Sequence, residues 1–206
     1  MIVLGASRHA KEVLQIMIEN QMAINYLFDD FSNSFSPFFD NYTIIKSFND
    51  SRIIVNDGFV LALGGTRNRK KLFEQSINKA LVPISVISNT AVVGVNGVNL
   101  GVALNIMHFV FIADSVKIGN GSLINAYASI HHDVIIGEFS EISPRAVLLG
   151  GVIIGNYTSI GAGVIVLPNI TVGNNCTIGA GAVVTKNIGD NQVWFGVPAV
   201  FIKSKE

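Results

Sequence analysis

The sequence predicts two domains, a small α/β domain followed by a parallel β-helix, and three observations support this fold class. Aliphatic residues recur at every sixth position from Leu100 to Val184 without a break in the frame. Glycine often follows the aliphatic residue, where it permits the tight backbone of a corner. Before residue 88, short apolar runs alternate instead with segments of helical spacing. The chain has 206 residues, which is long enough for two modest domains.

The six-residue frame defines the second domain. Each hexapeptide forms one short strand and one corner, and its aliphatic residue points inward. Three hexapeptides close one triangular coil, so that residues three hexapeptides apart in the sequence stack on each other. The fifteen aliphatic residues of the frame are Leu100, Ile106, Ile112, Ile118, Ile124, Ile130, Ile136, Ile142, Leu148, Ile154, Ile160, Val166, Val172, Ile178 and Val184. Four positions after most of them stands a small or β-branched residue, which we expect to fill the corner of the core.

The first domain is predicted to be a small, open and mostly parallel sheet with helices, which makes it Rossmann-like. Its predicted strands are Ile2–Leu4, Tyr26–Phe28, Tyr42–Ile45, Phe59–Leu63 and Leu81–Ile87, with helices from Ala10 and after Arg67. We place the domain boundary so that the first domain spans 1–88 and the second 89–206. The final segment, Ile188–Glu206, is expected to cap the last coil, since the open end of a solenoid needs covering.

Composition excludes several classes of protein. The net charge is zero and no basic patch is interleaved with aromatic residues, so we expect no nucleic-acid partner. No apolar run is long enough for a membrane span, and the start of the chain has no secretory leader. One cysteine cannot form an internal disulfide, which favours a cytoplasmic location. No cluster of cysteine and histidine has metal-ligand spacing, so no metal is expected.

Three loops of the first domain are candidates for ligand binding. The loop Gly5–Ala10 follows a strand and begins a helix, Asp29 and Asp30 follow the second strand, and Gly64-Gly65 follows a later one. Because ligands of open α/β sheets bind at the carboxyl ends of the strands, we expect these loops to converge on one crevice. The pattern is equally consistent with a binding site for a nucleotide or nucleotide sugar and with turns that have only a structural role. Ser7 replaces the second glycine of the dinucleotide fingerprint, so NAD is not expected.

A second candidate site contains His131-His132-Asp133. In the frame His132 and Asp133 lie on a corner and point outward, and Glu138 lies one corner further along. Imidazole titrates near neutral pH, so a carboxylate that orients His132 would make it a general base. Gly150 follows His132 by one complete coil and offers a backbone N–H beside it, as acyl transfer requires for its oxyanion. An exposed histidine without function is the equally weighted alternative.

Cys176 occupies a small inward position of the frame, so we interpret it as a core residue and not as a nucleophile. That interpretation favours direct transfer over a covalent acyl-enzyme. His108 lies early in the solenoid on a different face, and a structural role is expected for it.

Three motifs together resemble a known family. They are the hexapeptide frame with Ile130-His131-His132-Asp133-Val134-Ile135-Ile136-Gly137-Glu138-Phe139, the ending Gly196-Val197-Pro198-Ala199, and the opening Gly5-Ala6-Ser7-Arg8-His9-Ala10-Lys11 with Asp29-Asp30. The chain resembles, over essentially its whole length, the family of sialic acid O-acetyltransferases and UDP-4-amino-sugar N-acetyltransferases, which are left-handed β-helix acyltransferases. The resemblance implies the left-handed coil, acetyl-CoA as donor, and a homotrimer with active sites between adjacent solenoids.

The resemblance also implies roles for individual residues. His132 matches the catalytic base, Asp133 its carboxylate neighbour, and Gly150 the donor to the thioester carbonyl. The positions implied for CoA are Gly150, Ile160, Gly161, Gly179, Ala180, Gly181 and Lys186. The positions implied for the acceptor are Ser7, Arg8, His9, Asp29, Asp30, Gly65 and Asn125. Two positions depart from the family, since Arg8 stands where glycine is usual and Glu141 where a second histidine is common.

The sequence therefore predicts an acetyl-CoA-dependent N-acetyltransferase that acts on the amino group of a nucleotide-linked amino sugar, a UDP-4-amino-dideoxy sugar, in bacterial glycan biosynthesis. A sugar O-acetyltransferase of the sialic acid type is the alternative. Two rivals from other classes are a non-catalytic β-helix scaffold and a nucleotide-binding sensor built on residues 1–88. Binding of acetyl-CoA and of UDP distinguishes all four.

Overall fold

The computed structural model describes residues 1–205, and Glu206, the last residue of the predicted second domain, lies outside the described residues. The N-terminal domain has five parallel strands in the order β3-β2-β1-β4-β5. These strands are β1 (Ile2–Leu4), β2 (Tyr26–Phe28), β3 (Ile44–Ile45), β4 (Gly58–Leu61) and β5 (Val82–Pro83). The helices are α1 (Arg8–Glu19) and α2 (Thr66–Asn78), with a 3₁₀ turn at Pro37–Phe39. Among residues 1–205, no helix is both long and apolar enough to cross a membrane.

The single strand predicted over Leu81–Ile87 is wrong. The chain forms β5 at Val82–Pro83, which pairs with β4, and then a new strand β6 at Val86–Ile87, which pairs with the solenoid. Proline at 83 has no N–H to continue a ladder, so the strand ends there. Solenoid pairing therefore begins at Val86, three residues before the predicted start of the second domain.

The solenoid consists of two-residue strands that form three parallel sheets, its three faces. Face 1 contains β6, β9 (Asn105–Ile106), β12 (Leu123–Ile124), β15 (Glu141–Ile142), β18 (Ser159–Ile160) and β21 (Thr177–Ile178). Face 2 contains β7 (Val92–Val93), β10 (Phe111–Ile112), β13 (Ser129–Ile130), β16 (Val147–Leu148), β19 (Ile165–Val166) and β22 (Val183–Val184). Face 3 contains β8 (Asn99–Leu100), β11 (Lys117–Ile118), β14 (Ile135–Ile136), β17 (Ile153–Ile154) and β20 (Thr171–Val172).

The burial pattern confirms the six-residue frame. Every frame residue from Ile106 to Val184 is at most 3% exposed. The paired strands are in register at a separation of three hexapeptides, as with Ile112, Ile130 and Leu148. We call the turns from face 1 to 2, from 2 to 3 and from 3 to 1 the 1–2, 2–3 and 3–1 corners. Equivalent residues of successive coils therefore form a column along each corner. The register of the coils determines which residues are neighbours in that column.

One of these columns explains Cys176. At the 3–1 corner, Ser122, Ser140 and Thr158 are fully buried, and each donates its hydroxyl to a backbone carbonyl while accepting from the next coil. Cys176 continues the column, with its Sγ 3.0 Å from the carbonyl oxygen of Gly189. Burial raises the pKa of this thiol, which disfavours the nucleophilic thiolate. The structure thus confirms that Cys176 is a core residue.

The C-terminal segment forms a hairpin of β23 (Gln192–Phe195) and β24 (Val200–Ser204), and β23 pairs with β21. Trp194 and Ala199 join the hydrophobic core of the solenoid. The described part of this segment therefore caps the last coil, as predicted.

The N-terminal domain packs on face 1, where the outward residues Val86, Asn105 and Leu123 are buried. Arg69 of α2 lies fully buried at this junction. Its guanidinium donates to the carbonyl oxygens of Gly121 and Leu63 at 2.7 and 2.8 Å, and to Oδ1 of Asn105 at 2.8 Å. Burial lowers the pKa of Arg69 to about 9, so it remains charged at neutral pH. Arg69 thus joins α2 to two coils of the solenoid.

We expect Arg69→Ala to lower the free energy of unfolding by roughly 2–4 kcal/mol, because it leaves buried carbonyl oxygens without donors. Denaturant titration of the purified protein measures this. Arg67→Ala is the matched control, since Arg67 is exposed on the same helix. Equal midpoints for the two variants would contradict the anchoring role of Arg69.

Candidate active site

His132 and Asp133 lie together on the 2–3 corner. The Nδ1 atom of His132 is 2.8 Å from Oδ2 of Asp133, and both side chains are largely exposed. Because a carboxylate only accepts hydrogen bonds, the Nδ1–H donates to it and Nε2 keeps its lone pair. Asp133 adopts a φ of 61°, a left-handed conformation that recurs at the corners of the solenoid, as at Ser115 and Asn169. The pair has the geometry of an oriented general base.

Gly150 stacks beneath the imidazole of His132. A Cβ atom at position 150 would lie 2.4 Å from Cε1 and 2.6 Å from Nε2 of His132, so only glycine fits. The N–H of Gly150 makes no hydrogen bond to any residue among 1–205. A basic nitrogen and a free backbone donor thus lie side by side, as their separation by one coil predicts.

Glu138 lies on the 3–1 corner and is not brought to His132. Its carboxylate accepts a hydrogen bond from Asn120 Nδ2 at 2.9 Å, and its N–H donates to Asn156 Oδ1 at 2.7 Å. Asn120, Glu138 and Asn156 belong to a polar ladder that joins successive coils. Of the two carboxylates that the sequence offered as partners for His132, the structure pairs it with Asp133.

The three loops of the N-terminal domain converge on a cavity of about 450 Å³ at the carboxyl ends of β1, β2 and β4. Its lining includes Gly5, Ser7, Asp29, Asp30 and Gly64. Ser7 is the N-cap residue of α1, and its side chain makes no capping hydrogen bond. The convergence matches the crevice that the sequence predicts.

The two acidic residues of this cavity have different surroundings. Asp29 accepts hydrogen bonds from the N–H groups of Phe31 and Ser32 at 3.0 and 2.7 Å, and from Ser32 Oγ at 3.0 Å. The carboxylate of Asp29 therefore stabilises the loop that contains it. Asp30 is exposed and makes no hydrogen bond to a described residue. Asp30 is thus the acid available to a ligand.

Seven lining residues were not predicted from the sequence, and three of them have side chains suited to contact a ligand, namely Phe31, Asn68 and Lys71. Phe31 is 92% exposed although it is large and apolar. Its position directly after Asp29-Asp30 was the signal in the sequence that could have found it. Asn68 and Lys71 come from the first turns of α2 and were interpreted only as part of a polar helix start.

The other predicted acceptor residues, Arg8, His9, Gly65 and Asn125, do not line the cavity. Arg8 is exposed. His9 is mostly buried, with Nδ1 3.4 Å from Glu12 Oε2, and burial together with the charge of Arg69 lowers its pKa. Gly65 donates its N–H to Oε2 of Glu141 at 3.0 Å. Asn125 lies far along the chain on the 1–2 corner, where its Oδ1 accepts from the N–H of Ala126.

The residues expected to contact CoA fall on two corners. Gly150 and Lys186 belong to the 2–3 corner, in the same column as His132, and Lys186 Nζ lies 5.3 Å from the centre of the Trp194 ring. Gly161, Ala180 and Gly181 belong to the 1–2 corner. Face 2 separates the two groups. At Gly181 an added Cβ would meet nothing within 4 Å, so this backbone is open to a ligand.

Three of these predicted contacts differ in the structure. The side chain of Ile160 is fully buried in the core, as its own place in the frame requires. An added Cβ at Gly161 would lie 2.6 Å from the N atom of Ala180, so coil stacking explains that glycine. Gly179 is covered by Phe195, whose ring would lie 1.6 Å from an added Cβ. The C-terminal hairpin, which the frame does not describe, occupies that space.

Among the described residues, no group of three or more histidine, cysteine, aspartate or glutamate side chains is arranged to hold a metal ion.

Two family models match the chain. The PglD N-terminal domain matches residues 1–76, and the bacterial transferase hexapeptide model matches 115–150, 133–166 and 151–186. No curated protein sequence matches the chain.

Solved structures resemble the chain over nearly its whole length. A mutant of the perosamine N-acetyltransferase from Caulobacter crescentus, in complex with CoA and GDP-perosamine, has a TM-score of 0.88 and 25% identity, covering 98% of this chain and 96% of that chain. The acetyltransferase domain of PglB from Neisseria gonorrhoeae has a TM-score of 0.87 and 26% identity, covering 98% of both chains. WeeI from Acinetobacter baumannii has a TM-score of 0.88 at 24% identity, which bears on the fold alone.

The two family models match the two domains that the structure contains, in the same order along the chain. The predicted fold class, a Rossmann-like α/β domain followed by a left-handed parallel β-helix of hexapeptide repeats, is confirmed. The chain therefore combines a PglD-type N-terminal domain with a bacterial transferase hexapeptide domain, and over nearly its whole length it resembles sugar N-acetyltransferases and related acetyltransferases.

Proposed function

We propose that this protein transfers the acetyl group of acetyl-CoA to the amino group of a nucleotide-linked amino sugar. The observation that carries the proposal is the packing of the His132–Asp133 pair against Gly150, whose N–H has no partner among residues 1–205. The structures of similar proteins add support, since one contains CoA with GDP-perosamine and another contains acetyl coenzyme A. The predicted UDP-4-amino-dideoxy sugar in bacterial glycan synthesis remains our first choice of acceptor. Both co-substrates are cytoplasmic metabolites, so we place the reaction there.

The reaction follows from the geometry of the pair. The neutral acceptor amine attacks the thioester carbonyl carbon, and His132 Nε2 takes the proton that the amine loses. Asp133 stabilises the resulting imidazolium through Nδ1–H. The N–H of Gly150 donates to the oxyanion of the tetrahedral intermediate. When the carbon–sulfur bond breaks, His132 returns the proton to the departing thiolate, and an amide and free CoA result.

The N-terminal cavity supplies the groups that a nucleotide requires. Asp30 offers a carboxylate for hydroxyl or base N–H groups, and Lys71 offers a cation for phosphate. Phe31 offers an exposed ring on which a base can stack. The N-terminal end of α1 adds a favourable dipole beside Ser7. These groups favour a nucleotide-linked acceptor over a free sugar.

The distribution of the site residues supports a homotrimer. His132 and Gly150 lie on the 2–3 corner, whereas Asn125 and Gly181 lie on the 1–2 corner across face 2. A ligand in a groove between two solenoids would meet one such corner from each subunit. Faces 2 and 3 also expose large apolar side chains, namely Val92, Phe111 and Ile165 on face 2 and Ile135 and Ile153 on face 3. Such apolar surface is typical of subunit contacts.

The proposal is tested by incubating the purified protein with acetyl-CoA and nucleotide-linked amino sugars that differ in base, and by following free CoA and the mass of the product. We expect a mass increase of one acetyl group on the sugar amine. Acetylation of a hydroxyl instead, or of sialic acid, would favour the alternative O-acetyltransferase. Absence of acetyl-CoA binding would reject both.

The trimer is checked by light scattering, with an expected mass of about three times 22.1 kDa.

Within this function, we expect Phe31→Ala to weaken binding of the nucleoside diphosphate about 5- to 30-fold, because base stacking on an aromatic ring contributes roughly 1–2 kcal/mol. Calorimetric titration of UDP and GDP measures the effect. Phe38→Ala is the matched control, since Phe38 is also exposed but lies outside the cavity. Equal affinities in the two variants would show that Phe31 does not contact the base.

A further inference from the structure

Glu141 is the position where the family's usual second histidine is absent, and the structure gives its carboxylate a specific partner. Its neighbour Ile142 points into the core of the solenoid, whereas Glu141 lies on the outer side of face 1, towards the N-terminal domain. Oε2 accepts the N–H of Gly65 at 3.0 Å. An added Cβ at Gly64 would lie 3.7 Å from both carboxylate oxygens, so the carboxylate lies directly against this loop.

The loop that Glu141 holds is the start of α2. Gly65 is the N-cap residue of α2, with a φ of 84°, and it has no side chain that could cap the helix. In a capping box, an acidic side chain of the helix itself accepts the N–H of the N-cap residue. Here a carboxylate from the other domain takes that hydrogen bond. Its negative charge also lies at the end of the helix where the dipole favours it.

The same carboxylate balances a buried charge. Arg69 lies one turn into α2, and all of its hydrogen-bond acceptors are neutral. The negative charge of Glu141 opposes the effect of burial on the pKa of Arg69. Glu141 therefore has both a directional and an electrostatic reason to stay at the start of α2.

The start of α2 is also a wall of the N-terminal cavity. Gly64, Asn68, Lys71 and Leu72 line it, and Gly64 adjoins the N–H that Glu141 accepts. Glu141 itself does not line the cavity and lies outside the His132–Asp133–Gly150 group. It nevertheless follows His132 by only half a coil along the solenoid.

We propose that Glu141 is a positioning residue, which fixes the Gly64–Gly65 wall of the acceptor cavity to the catalytic solenoid and thereby sets the affinity for the nucleotide-linked acceptor. This inference rests on the proposed function. It makes no use of contact between Glu141 and the reacting atoms.

Steady-state kinetics of the full-length protein tests this role. We expect Glu141→Ala to raise KM for the nucleotide sugar roughly 10- to 150-fold, the loss expected for one hydrogen bond to a charged group. The kcat and the KM for acetyl-CoA should stay within about twofold. Glu141→Gln keeps an acceptor oxygen and should recover most of the acceptor affinity. Glu74→Ala, an exposed carboxylate on the same helix, is the matched control and should leave all constants unchanged.

An unchanged KM for the nucleotide sugar in Glu141→Ala, or a loss confined to kcat, would overturn the proposal. Should that variant not fold, Glu141→Asp shortens the side chain by one methylene and gives the same comparison. Hydrogen exchange provides a readout that needs no activity, since the amide of Gly65 should exchange at least about tenfold faster in Glu141→Ala and not in Glu74→Ala. If the wild-type protein acetylates no nucleotide sugar, the proposed function fails, while unchanged exchange at Gly65 would independently reject the role of Glu141.

Discussion

His132→Ala is expected to lower kcat/KM by about 10²–10⁴, because it removes the base that deprotonates the acceptor amine. The imidazole is exposed on a corner and contributes nothing to the core, so the variant should keep its fold, its assembly and its affinity for acetyl-CoA. Initial rates of CoA release at saturating acetyl-CoA measure the effect.

The neighbouring histidine provides the matched control for this experiment. His131 is half-buried, and its Nε2 lies 3.3 Å from Ser129 Oγ, while its ring packs edge-on to Phe111. His131→Ala should therefore change the rate far less than His132→Ala. Near-normal activity in His132→Ala, with the reaction otherwise intact, would transfer the role of base to another group and would favour the non-catalytic interpretation of this corner.

The asymmetry between Asp133 and Glu138 shows what a periodic sequence can and cannot predict. The frame places His132 outside, Cys176 inside and Gly150 beneath His132, because coil stacking depends only on the hexapeptide period. From the frame alone, both carboxylates were candidates to orient His132. The structure distinguishes them by their hydrogen bonds, since Asp133 contacts Nδ1 of His132 whereas Glu138 belongs to the asparagine ladder of the 3–1 corner.

The frame fails where tertiary contacts from outside the solenoid decide the outcome. Gly179 and Gly181 lie on the same corner, yet Phe195 of the C-terminal hairpin covers the first and leaves the second open. Arg69 stands in a run of basic residues that resembles an exposed helix start, but it is fully buried because α2 docks on face 1. No local pattern encodes these contacts. Ile160 is a different case, since its own place in the frame already predicted a buried side chain.

The cavity of the N-terminal domain illustrates the same limit in a smaller unit. Strand order alone predicts that the loops after β1, β2 and β4 meet, and they do. Both residues are acids in one turn, so the sequence could not distinguish them. In the structure, the carboxylate of Asp29 accepts hydrogen bonds from its own loop, whereas that of Asp30 makes no hydrogen bond to a described residue. That division depends on the local hydrogen bonds, and it identifies Asp30 as the acid to substitute in binding experiments.

Gly150→Ala is the second change for which we expect a large effect, a fall in kcat of about 10²–10³, because it displaces the general base and crowds the oxyanion donor. The φ of Gly150 is accessible to alanine, so the backbone need not change. The added methyl group would instead lie 2.6 Å from Nε2 of His132 and would displace the imidazole from its position beside Gly150. Geometry thus predicts that one methyl group disturbs both the base and the oxyanion donor. Single-turnover rates of acetyl transfer measure this loss separately from substrate binding.

Gly189→Ala is the control for a glycine of the same solenoid. Its added Cβ would meet only the flexible side chain of Gln192, at 3.3 Å, so activity should be retained. Because His132 and Gly150 act as one unit, the double variant His132→Ala with Gly150→Ala should be scarcely slower than His132→Ala alone. Once the imidazole is gone, the methyl group has nothing to displace, and only the partial shielding of the N–H remains. Losses that multiply fully in the double variant would mean that base and donor act independently, and would contradict the coupling that their stacking implies.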